Sequence, residues 1–489
     1  QVHCLMSFNA MSPNGHYVLN LANHAEHALA EQLLLLDRWE TTLSQGKGLK
    51  DVSQRGNHST IRNELYQHVP IKVRAMVEWH LPEHEVLEFD YSSRRRIASN
   101  IEPLDDTTHS NIMITLQESG CNPRDQINAL KLASHCMFMT SKQLRAMFSL
   151  YKDEKLFVEL IVIFCIHIVD MQNEKIFRVR VEKPSLAHAL HTRLGFVHAF
   201  PFVQPDQAHF VFDFAEWDQR LAANLLLNLA NVEDRINLKN PLYVDINGQV
   251  VPFVSGINRS WDTFEKMPLS GVLSLDYHCA PENRNFVARK RLYEQYTYRS
   301  LPLSESDIFW WSSLRDVPKD VLSYLDFLST KFTDMNKAFE TYLHGADADT
   351  GFVSLRDFEE VSLRLGCKKY KGPDENRRLM MVFRFMDASG EGQVSKDEFM
   401  VMDQMFQEII LSIHEFVKFC IRTFGSDLAG AWDYLDEDGS GEIEQAEWNL
   451  ACENLGYCGP VEPIFRYLDK DDEGTVSYDE FVELEKFKD

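Results

Sequence analysis

Three stretches near the C-terminal end of this 489-residue chain place oxygen-bearing side chains at one shared spacing. They begin at Asp387, Asp436 and Asp469 and read DASGEGQVSKDE, DEDGSGEIEQAE and DKDDEGTVSYDE. Each has Asp at position 1, oxygen-bearing residues at 3 and 5, Gly at 6, a β-branched apolar residue at 8 and Glu at 12. Calcium takes about six to eight oxygen ligands, so a short loop must wrap round the ion to supply most of them. The three matches therefore predict three calcium-binding loops.

This spacing resembles that of the EF-hand calcium loop, and the resemblance implies side-chain ligands at positions 1, 3, 5 and 12, a backbone carbonyl at 7 and a contact through water at 9. The predicted ligands of the first loop are Asp387, Ser389, Glu391, Gln393 and Glu398. Those of the second loop are Asp436, Asp438, Ser440, Glu442 and Glu447. Those of the third loop are Asp469, Asp471, Glu473, Thr475 and Glu480. The position-9 residues are Ser395, Glu444 and Ser477. We expect three Ca²⁺ ions, with Mg²⁺ as the alternative occupant at resting calcium.

The first loop departs most from this pattern, because Ser389 and the long Glu391 replace the commoner Asp or Asn. We therefore expect it to bind calcium more weakly than the other two loops. A fourth stretch, ADADTGFVSLRD at 346–357, keeps Gly351 at position 6 but has alanine at positions 1 and 3. Its position 12 is Asp357, one methylene shorter than Glu. We interpret this loop as structural.

Over residues 331–489 the four loops resemble those of the calmodulin-like EF-hand superfamily. The resemblance implies helix–loop–helix hands that pair through a short β contact at loop position 8. It also implies two lobes, 331–411 and 412–489, and a calcium sensor or buffer. The position-8 residues are Val353, Val394, Ile443 and Val476.

The acidic charge is concentrated in the same C-terminal part of the chain as the loops. The net charge is −24, and residues 401–489 alone hold 22 acidic and 6 basic residues. Nucleic-acid binding needs a concentrated basic surface, so we expect no such partner.

The nine cysteines are scattered and lack any CxxC pair, which favours reduced thiols and a cytoplasmic protein. The apolar stretch at 156–169 is too short for a membrane span, and we expect no transmembrane segment.

An internal repeat organises the first two-thirds of the chain. The segment HYVLNLANHAEHALAEQLLLL from His16 parallels HFVFDFAEWDQRLAANLLLNL from His209. LPEHEVLEFDY, ending at Tyr91, parallels MPLSGVLSLDY, ending at Tyr277. Each copy predicts a strand, an amphipathic helix and a second strand ending in Asp-Tyr. These strands and helices also resemble uncharacterised repeat modules found beside EF-hands in protist proteins.

These patterns predict a multidomain fold that is mainly α with α+β: duplicated α+β units joined by a helical bundle, followed by two paired EF-hand lobes. The expected segments are 1–104 (unit A), 105–183 (helical bundle), 184–300 (unit B), 301–330 (connector), 331–411 and 412–489. Within the bundle, Pro123 marks a helix start, Thr140 and Gln143 have capping-box spacing, and 176–182 alternates as a strand would. We interpret the basic runs 94–96 and 289–291 as solvated faces.

A partner is suggested by methionine placement. Of the 16 methionines, seven lie in 331–405: Met335, Met380, Met381, Met386, Met400, Met402 and Met405. Methionine-rich grooves bind target helices, so the first lobe is expected to bind a protein partner or an intramolecular target. Ordinary core packing is the alternative explanation.

Residues 1–330 contain no GxGxxG, Walker A, GxSxG or HExxH motif and no protein-kinase catalytic set. We therefore expect a non-enzymatic calcium-responsive scaffold or sensor. Two alternatives stay open. One is a calcium-regulated enzyme of unrecognised family in 1–330, and the other is a calcium buffer or structural component of a cytoskeletal assembly.

Overall fold

The computed structural model describes residues 8–45, 60–71, 80–93, 101–196, 199–206, 208–253, 256–297, 304–315, 317–345, 351–367, 370, 374–426, 428–471 and 473–488. The chain forms two compact units. The first comprises residues 1–147, 153–278 and 285–308, and the second comprises residues 148–152, 279–284 and 309–489. Among the described residues, no helix combines the length and apolar character needed to cross a membrane.

The first unit contains two four-stranded antiparallel sheets with the same strand order. The first sheet has the order β1-β4-β2-β3, built from β1 (Gly15–Asn20), β2 (Ile61–Tyr66), β3 (Val69–Pro70) and β4 (Val86–Tyr91). The second has the order β5-β8-β6-β7, built from β5 (Ala208–Asp213), β6 (Leu238–Val244), β7 (Val250–Val251) and β8 (Val272–Tyr277). The shared order confirms the predicted duplication of an α+β unit.

The two sheets also share an irregularity in the strand pairing. The register shifts after Arg62 in β2 and after Lys239 in β6. The next residues, Asn63 and Asn240, have φ of 54° and 48°, a region that asparagine tolerates better than most side chains. A β-bulge at the same place in both sheets is therefore a feature of the duplicated unit.

The helices of the first unit are α1 (His24–Gln45), α2 (Asp106–Glu118), α3 (Pro123–Ala133), α4 (Ser141–Phe148), α5 (Lys155–Phe164), α6 (Lys175–Arg178), α7 (Pro184–Leu194), α8 (Trp217–Val232) and α9 (Phe286–Thr297). Helix α1 packs on the first sheet and α8 on the second. Alternate strand residues face these helices, so Tyr17 and Leu19 are buried in β1, and Phe210 and Phe212 in β5. Each copy thus buries one face of its sheet under its own helix.

The bundle between the copies keeps two predicted helix starts and loses one predicted strand. Pro123 begins α3, and the Thr140 and Gln143 side chains exchange hydrogen bonds with each other's backbone N–H at 3.1 and 3.2 Å. The strand expected at 176–182 is wrong, because this segment forms α6 and a 3₁₀ turn. Its buried residues Phe177 and Val181 are four apart, which puts them on one helical face.

The structure also corrects the interpretation of the basic run at 289–291 as a solvated face. Arg289 is fully buried rather than solvated. Its guanidinium donates to Asp206 at 2.7 and 3.1 Å and to Glu233 at 2.6 and 3.0 Å. Glu233 also accepts hydrogen bonds from the Tyr277 hydroxyl at 2.6 Å and the Asn285 backbone N–H at 2.8 Å. A buried charge needs such partners, and here two carboxylates supply them. The run at 94–96 lies outside the described residues.

The second unit is a helical assembly with two short β ladders. Its helices are α10 (Lys319–Lys331), α11 (Met335–Gly345), α12 (Leu355–Arg364), α13 (Glu375–Met386), α14 (Lys396–Phe399), α15 (Val401–Phe424), α16 (Ala429–Leu435), α17 (Gln445–Asn454), α18 (Glu462–Leu468) and α19 (Tyr478–Phe481). Its strands are β9 (Val353–Ser354), β10 (Gln393–Val394), β11 (Glu442–Glu444) and β12 (Thr475–Ser477). Strand β9 pairs with β10, and β11 with β12. The two paired lobes of the predicted fold are therefore present.

One hydrophobic core runs through both lobes of the second unit. Helix α15 crosses it and contacts α10, α11, α16 and α18. The indole N–H of Trp311 donates to Glu408 Oε2 on α15 at 2.6 Å, so this tryptophan packs inside the unit. Four of the seven methionines of the first lobe are buried in the same core: Met335, Met386, Met402 and Met405. For these four, core packing is the explanation that the structure supports.

Candidate metal centre

The three acidic loops each connect an entering helix to a leaving helix. They follow α13, α16 and α18 and lead into α14, α17 and α19. The glycines at position 6, Gly392, Gly441 and Gly474, have φ of 78°, 83° and 85°. This left-handed conformation favours glycine and lets the chain turn back over the loop.

The carboxylate of the first aspartate in each loop accepts hydrogen bonds from backbone N–H groups later in the same loop. Asp436 Oδ2 accepts from the backbone N–H of Gly441 at 3.1 Å. Asp469 accepts from the backbone N–H groups of Glu473 at 3.0 Å and Gly474 at 3.1 Å. A carboxylate has about four lone-pair sites, so backbone N–H groups can fix it in place within the loop.

In the second loop, three predicted ligands come together. Carboxylate oxygens of Asp436, Asp438 and Glu447 all lie within 4.8 Å of one another. Hydrogen bonds from Ser440 hold the Asp438 carboxylate and lower its pKa. The Ser440 hydroxyl donates to the Glu442 carbonyl at 2.7 Å, so positions 5 and 7 lie side by side. This all-oxygen set fits a hard divalent cation such as Ca²⁺.

The third loop repeats the arrangement. Carboxylate oxygens of Asp469, Asp471 and Glu480 lie within 4.8 Å of one another. The Asp471 carboxylate accepts from the Glu473 backbone N–H at 3.3 Å. The Thr475 hydroxyl lies 3.4 Å from Glu442 of the second loop, across the ladder between β11 and β12. The two loops of this lobe are therefore joined by backbone pairing and by a side chain.

The first loop is built differently. Asp387 accepts from the backbone N–H groups of Gly390, Glu391 and Gly392 at 2.8–3.0 Å, and from the Ser389 hydroxyl at 3.1 Å. Within the described part of the chain, no group of three acidic side chains at metal-ligand distance includes Asp387. The weaker binding of this loop stays a prediction.

The position-12 glutamates have a structural role that was not predicted. Glu398 accepts from the Ser395 backbone N–H and hydroxyl at 3.0 and 3.1 Å, and Glu480 accepts from those of Ser477 at 2.9 and 2.8 Å. Each pair is a capping box that starts the leaving helix. The signal was visible as S-x-x-E in both loops. In these two loops, the position-9 serine therefore caps a helix in addition to its expected contact through water.

The fourth loop lies partly outside the described residues, which begin again at Gly351 after 345 and so omit both alanines. In the described part, Ser354 and Asp357 form a capping box, with the Ser354 hydroxyl donating to Asp357 at 2.5 Å. Val353 pairs with Val394, and in the second lobe Ile443 pairs with Val476. The predicted β contacts at position 8 are confirmed in both lobes.

Family comparisons agree with this geometry. A family model described as an EF-hand domain pair matches residues 425–484, and one described as an EF hand matches residues 381–403. These segments are calcium-binding EF-hands. The predicted resemblance of the C-terminal region is confirmed.

The chain is also similar, over part of its length, to curated calcium-dependent protein kinases. Calcium-dependent protein kinase 11 of Oryza sativa subsp. japonica is 43% identical over 58 residues, which is 12% of this chain and 10% of that protein. Calcium-dependent protein kinase 13 of Arabidopsis thaliana is 26% identical over 165 residues, or 33% and 27%. Calcium-dependent protein kinase 16 of Oryza sativa subsp. japonica is 26% identical over 141 residues, or 28% and 23%. The chain thus covers between 10% and 27% of the length of these relatives.

These matches correct one expectation. We predicted from the missing catalytic motifs that the chain is not an enzyme. The relatives are named as protein kinases, which contradicts that expectation. Motif absence is a weak argument, because a catalytic site is defined by the geometry of its residues and not by a short pattern alone.

Proposed function

We propose that the EF-hand region is a calcium sensor that acts through helix α10 (Lys319–Lys331). This helix belongs to the segment expected to be a connector. It contacts α13 in the first lobe, α18 in the second lobe and α15 between them. Its residues Val321, Tyr324, Leu325 and Leu328 are fully buried. An amphipathic helix held by both lobes is the arrangement that a calcium sensor uses for a target.

Two ion pairs support a link from the calcium loops to α10. Arg378 on α13 donates to Asp320 at 2.8 Å, and Arg466 on α18 lies 3.8 Å from Asp326. Both arginines lie on helices that enter an acidic loop. A change in the angle of either entering helix would therefore alter a contact with α10.

Calcium binding would change the angle between the entering and leaving helices. The carboxylates of Glu398 and Glu480 cap the leaving helices and accept hydrogen bonds from loop N–H groups. Calcium would draw those oxygens into its own coordination shell and shift the leaving helices against the entering ones. We propose three Ca²⁺ sites, with Mg²⁺ at rest and a fourth loop that pairs without binding. The target of the first lobe is then intramolecular, namely α10.

Hydrogen–deuterium exchange on the full chain tests this proposal. Calcium should change the exchange of the α10 amides, and the combined variant of Glu398→Gln, Glu480→Gln and Glu447→Gln should abolish the change. Glu437→Gln is the matched control, because it removes one charge from the same loop at an exposed non-ligand position. Equal α10 exchange with calcium and with chelator would contradict the sensor and leave calcium with a structural role.

A calcium-regulated enzyme is the second candidate, favoured by the kinase relatives. The regulated activity would be phosphate transfer from ATP to a protein. The test is incorporation of labelled phosphate into the chain and into casein, with calcium and with chelator. Calcium-stimulated incorporation supports this candidate, and equal background in both conditions counts against it.

A further inference from the structure

The outer faces of the two sheets in the first unit, which point away from α1 and α8, carry the same polar cluster. On the first sheet, Asp90 accepts from the Asn63 amide at 2.7 Å and lies 3.2 Å from His16 Nδ1. These residues come from β4, β2 and β1, so the cluster crosses three neighbouring strands. The His–Asp–Asn cluster is therefore set by strand register rather than by one local turn.

The second sheet repeats the cluster. Asp276 accepts from the Asn240 amide at 2.8 Å and lies 2.6 Å from His209 Nδ1. His209 is paired with Asp276 in the strand register, as His16 is with Asp90. The second cluster therefore has the same position in the second sheet as the first cluster has in the first sheet.

A helix covers the first cluster. Helix α7 contacts β2 and β4, and Arg193 in its last turn donates to Asp90 Oδ1 at 3.0 Å. The Thr192 carbonyl accepts from the Asn63 amide at 3.0 Å and from Arg62 Nε at 3.2 Å. The cluster thus binds both a side-chain cation and a backbone carbonyl at the end of a helix.

The second cluster is more open. The Asp276 side chain is 24% exposed, against 8% for Asp90. Among the described residues, no arginine pairs with Asp276. Lys239 pairs with Asp276 in the strand register, as Arg62 pairs with Asp90. The second sheet therefore keeps a cationic side chain that can donate to a carbonyl. Burial raises the pKa of the Asp276 carboxyl, but the hydrogen bonds from Asn240 and His209 outweigh it and leave that pKa lowered.

Apolar side chains lie beside the second cluster on the same face. Val211, Leu242 and Val272 are 50%, 44% and 39% exposed. Val211 and Leu242 both pair with Ser274, so they form one row across the sheet, next to the row of Asp276. An exposed apolar row beside a prearranged carboxylate has the composition of a docking surface for a helix.

We propose that the outer face of the second sheet binds an amphipathic helix of a partner protein, which presents an arginine to Asp276 as α7 presents Arg193 to Asp90. The partner helix would place apolar residues on Val211 and Leu242. Its last-turn carbonyl would accept from Asn240 and Lys239. This surface belongs to the first unit and acts independently of calcium.

The probe is a helix-stapled peptide of residues 183–196, KPSLAHALHTRLGF, which carries α7. Its binding to the full chain is measured by fluorescence anisotropy. Saturable binding is expected, weakened about tenfold by Asp276→Asn, since one hydrogen bond to a charged group is lost. A peptide with Arg193→Ala should weaken to the same extent.

The duplication supplies a matched control. Val211→Lys should abolish binding, whereas Val18→Lys, at the corresponding exposed position of the first sheet, should leave it unchanged. Leu242→Lys is the second variant of the surface, and circular dichroism checks that each variant is folded. No saturable binding, or equal binding by all variants, would overturn the proposal. Sedimentation showing a dimer that Val211→Lys dissociates would also overturn it, since a second copy would then occupy the face.

Discussion

Glu447 holds its calcium loop closed by accepting a hydrogen bond from the Glu437 backbone N–H at 3.0 Å, ten residues earlier in the chain. Glu480 does the same with Lys470 at 3.0 Å, and Glu398 with Ser389 at 3.1 Å. The glutamate at position 12 therefore already lies across its loop. A calcium ion bound by these carboxylate oxygens would compete with these hydrogen bonds, and that competition would link binding to the helices.

The first prediction concerns the three glutamates. Glu447→Gln and Glu480→Gln should each weaken calcium binding at their own loop by at least about tenfold, or ~1.4 kcal/mol, since a charged bidentate ligand is lost. Glu398→Gln should cost less, because its loop places no three acidic side chains together. Competition with a fluorescent chelator measures all three. Equal losses in the three variants would contradict the ranking.

The second prediction concerns the coupling of the first lobe to α10. Arg378 is 38% exposed, so its pair with Asp320 should couple by only about 0.5 kcal/mol in a double-mutant cycle of Arg378→Met and Asp320→Asn. The coupling free energy should differ with and without calcium, since α13 enters a calcium loop. Urea unfolding of the four proteins in both conditions gives the values. An identical coupling in the two conditions would argue that calcium does not reach this contact.

The third prediction concerns the buried Arg289. Arg289→Met should destabilise the first unit by about 3–5 kcal/mol, because it leaves Asp206 and Glu233 without the charge that compensates them. Arg291→Met, an exposed position two residues along the same helix, should stay within about 0.5 kcal/mol of wild type. The measurement is the free energy of unfolding in urea. Similar losses in both variants would mean that the network adds no stability.

The fourth prediction is a pH dependence. Burial raises the pKa of Glu233, but hydrogen bonds and the charge of Arg289 outweigh it and hold the pKa below its ordinary 4.5. A depressed folded pKa stabilises the fold above the unfolded value, and that stability is lost as pH falls through the folded pKa. The stability gap between wild type and Glu233→Gln should therefore be full at pH 7 and shrink below pH 4.5. Glu265→Gln, at an exposed position, should show no such change. A gap that stays constant down to pH 3 would contradict this.

Much of the fold was predictable because its determinants are local. The loop spacing and the capping pair at Thr140 and Gln143 depend on residues close in sequence, whereas the β contact between Ile443 and Val476 was implied by the resemblance to paired EF-hands. The duplication was visible because both copies keep the same strand and helix patterns.

The interpretation of 289–291 as a solvated face failed because distant partners decide whether a side chain is buried. Arg289 is in a basic run, and only the fold brings Asp206 and Glu233 to it. Helix α10 has apolar residues at 321, 324, 325 and 328, and this helical spacing is visible in the sequence. Its contacts with both lobes depend on the tertiary structure. Enzymatic character was misjudged because absent motifs were given too much weight.

Calorimetric titration of the full chain with calcium tests the central claim most directly. The claim is that loops 387–398, 436–447 and 469–480 each bind one ion and that the fourth loop binds none. Wild type should take up three calcium ions, and the combined Glu447→Gln and Glu480→Gln variant should retain only the weak site of the first loop. Uptake of no calcium by wild type, or an unchanged isotherm in the variant, would contradict the account.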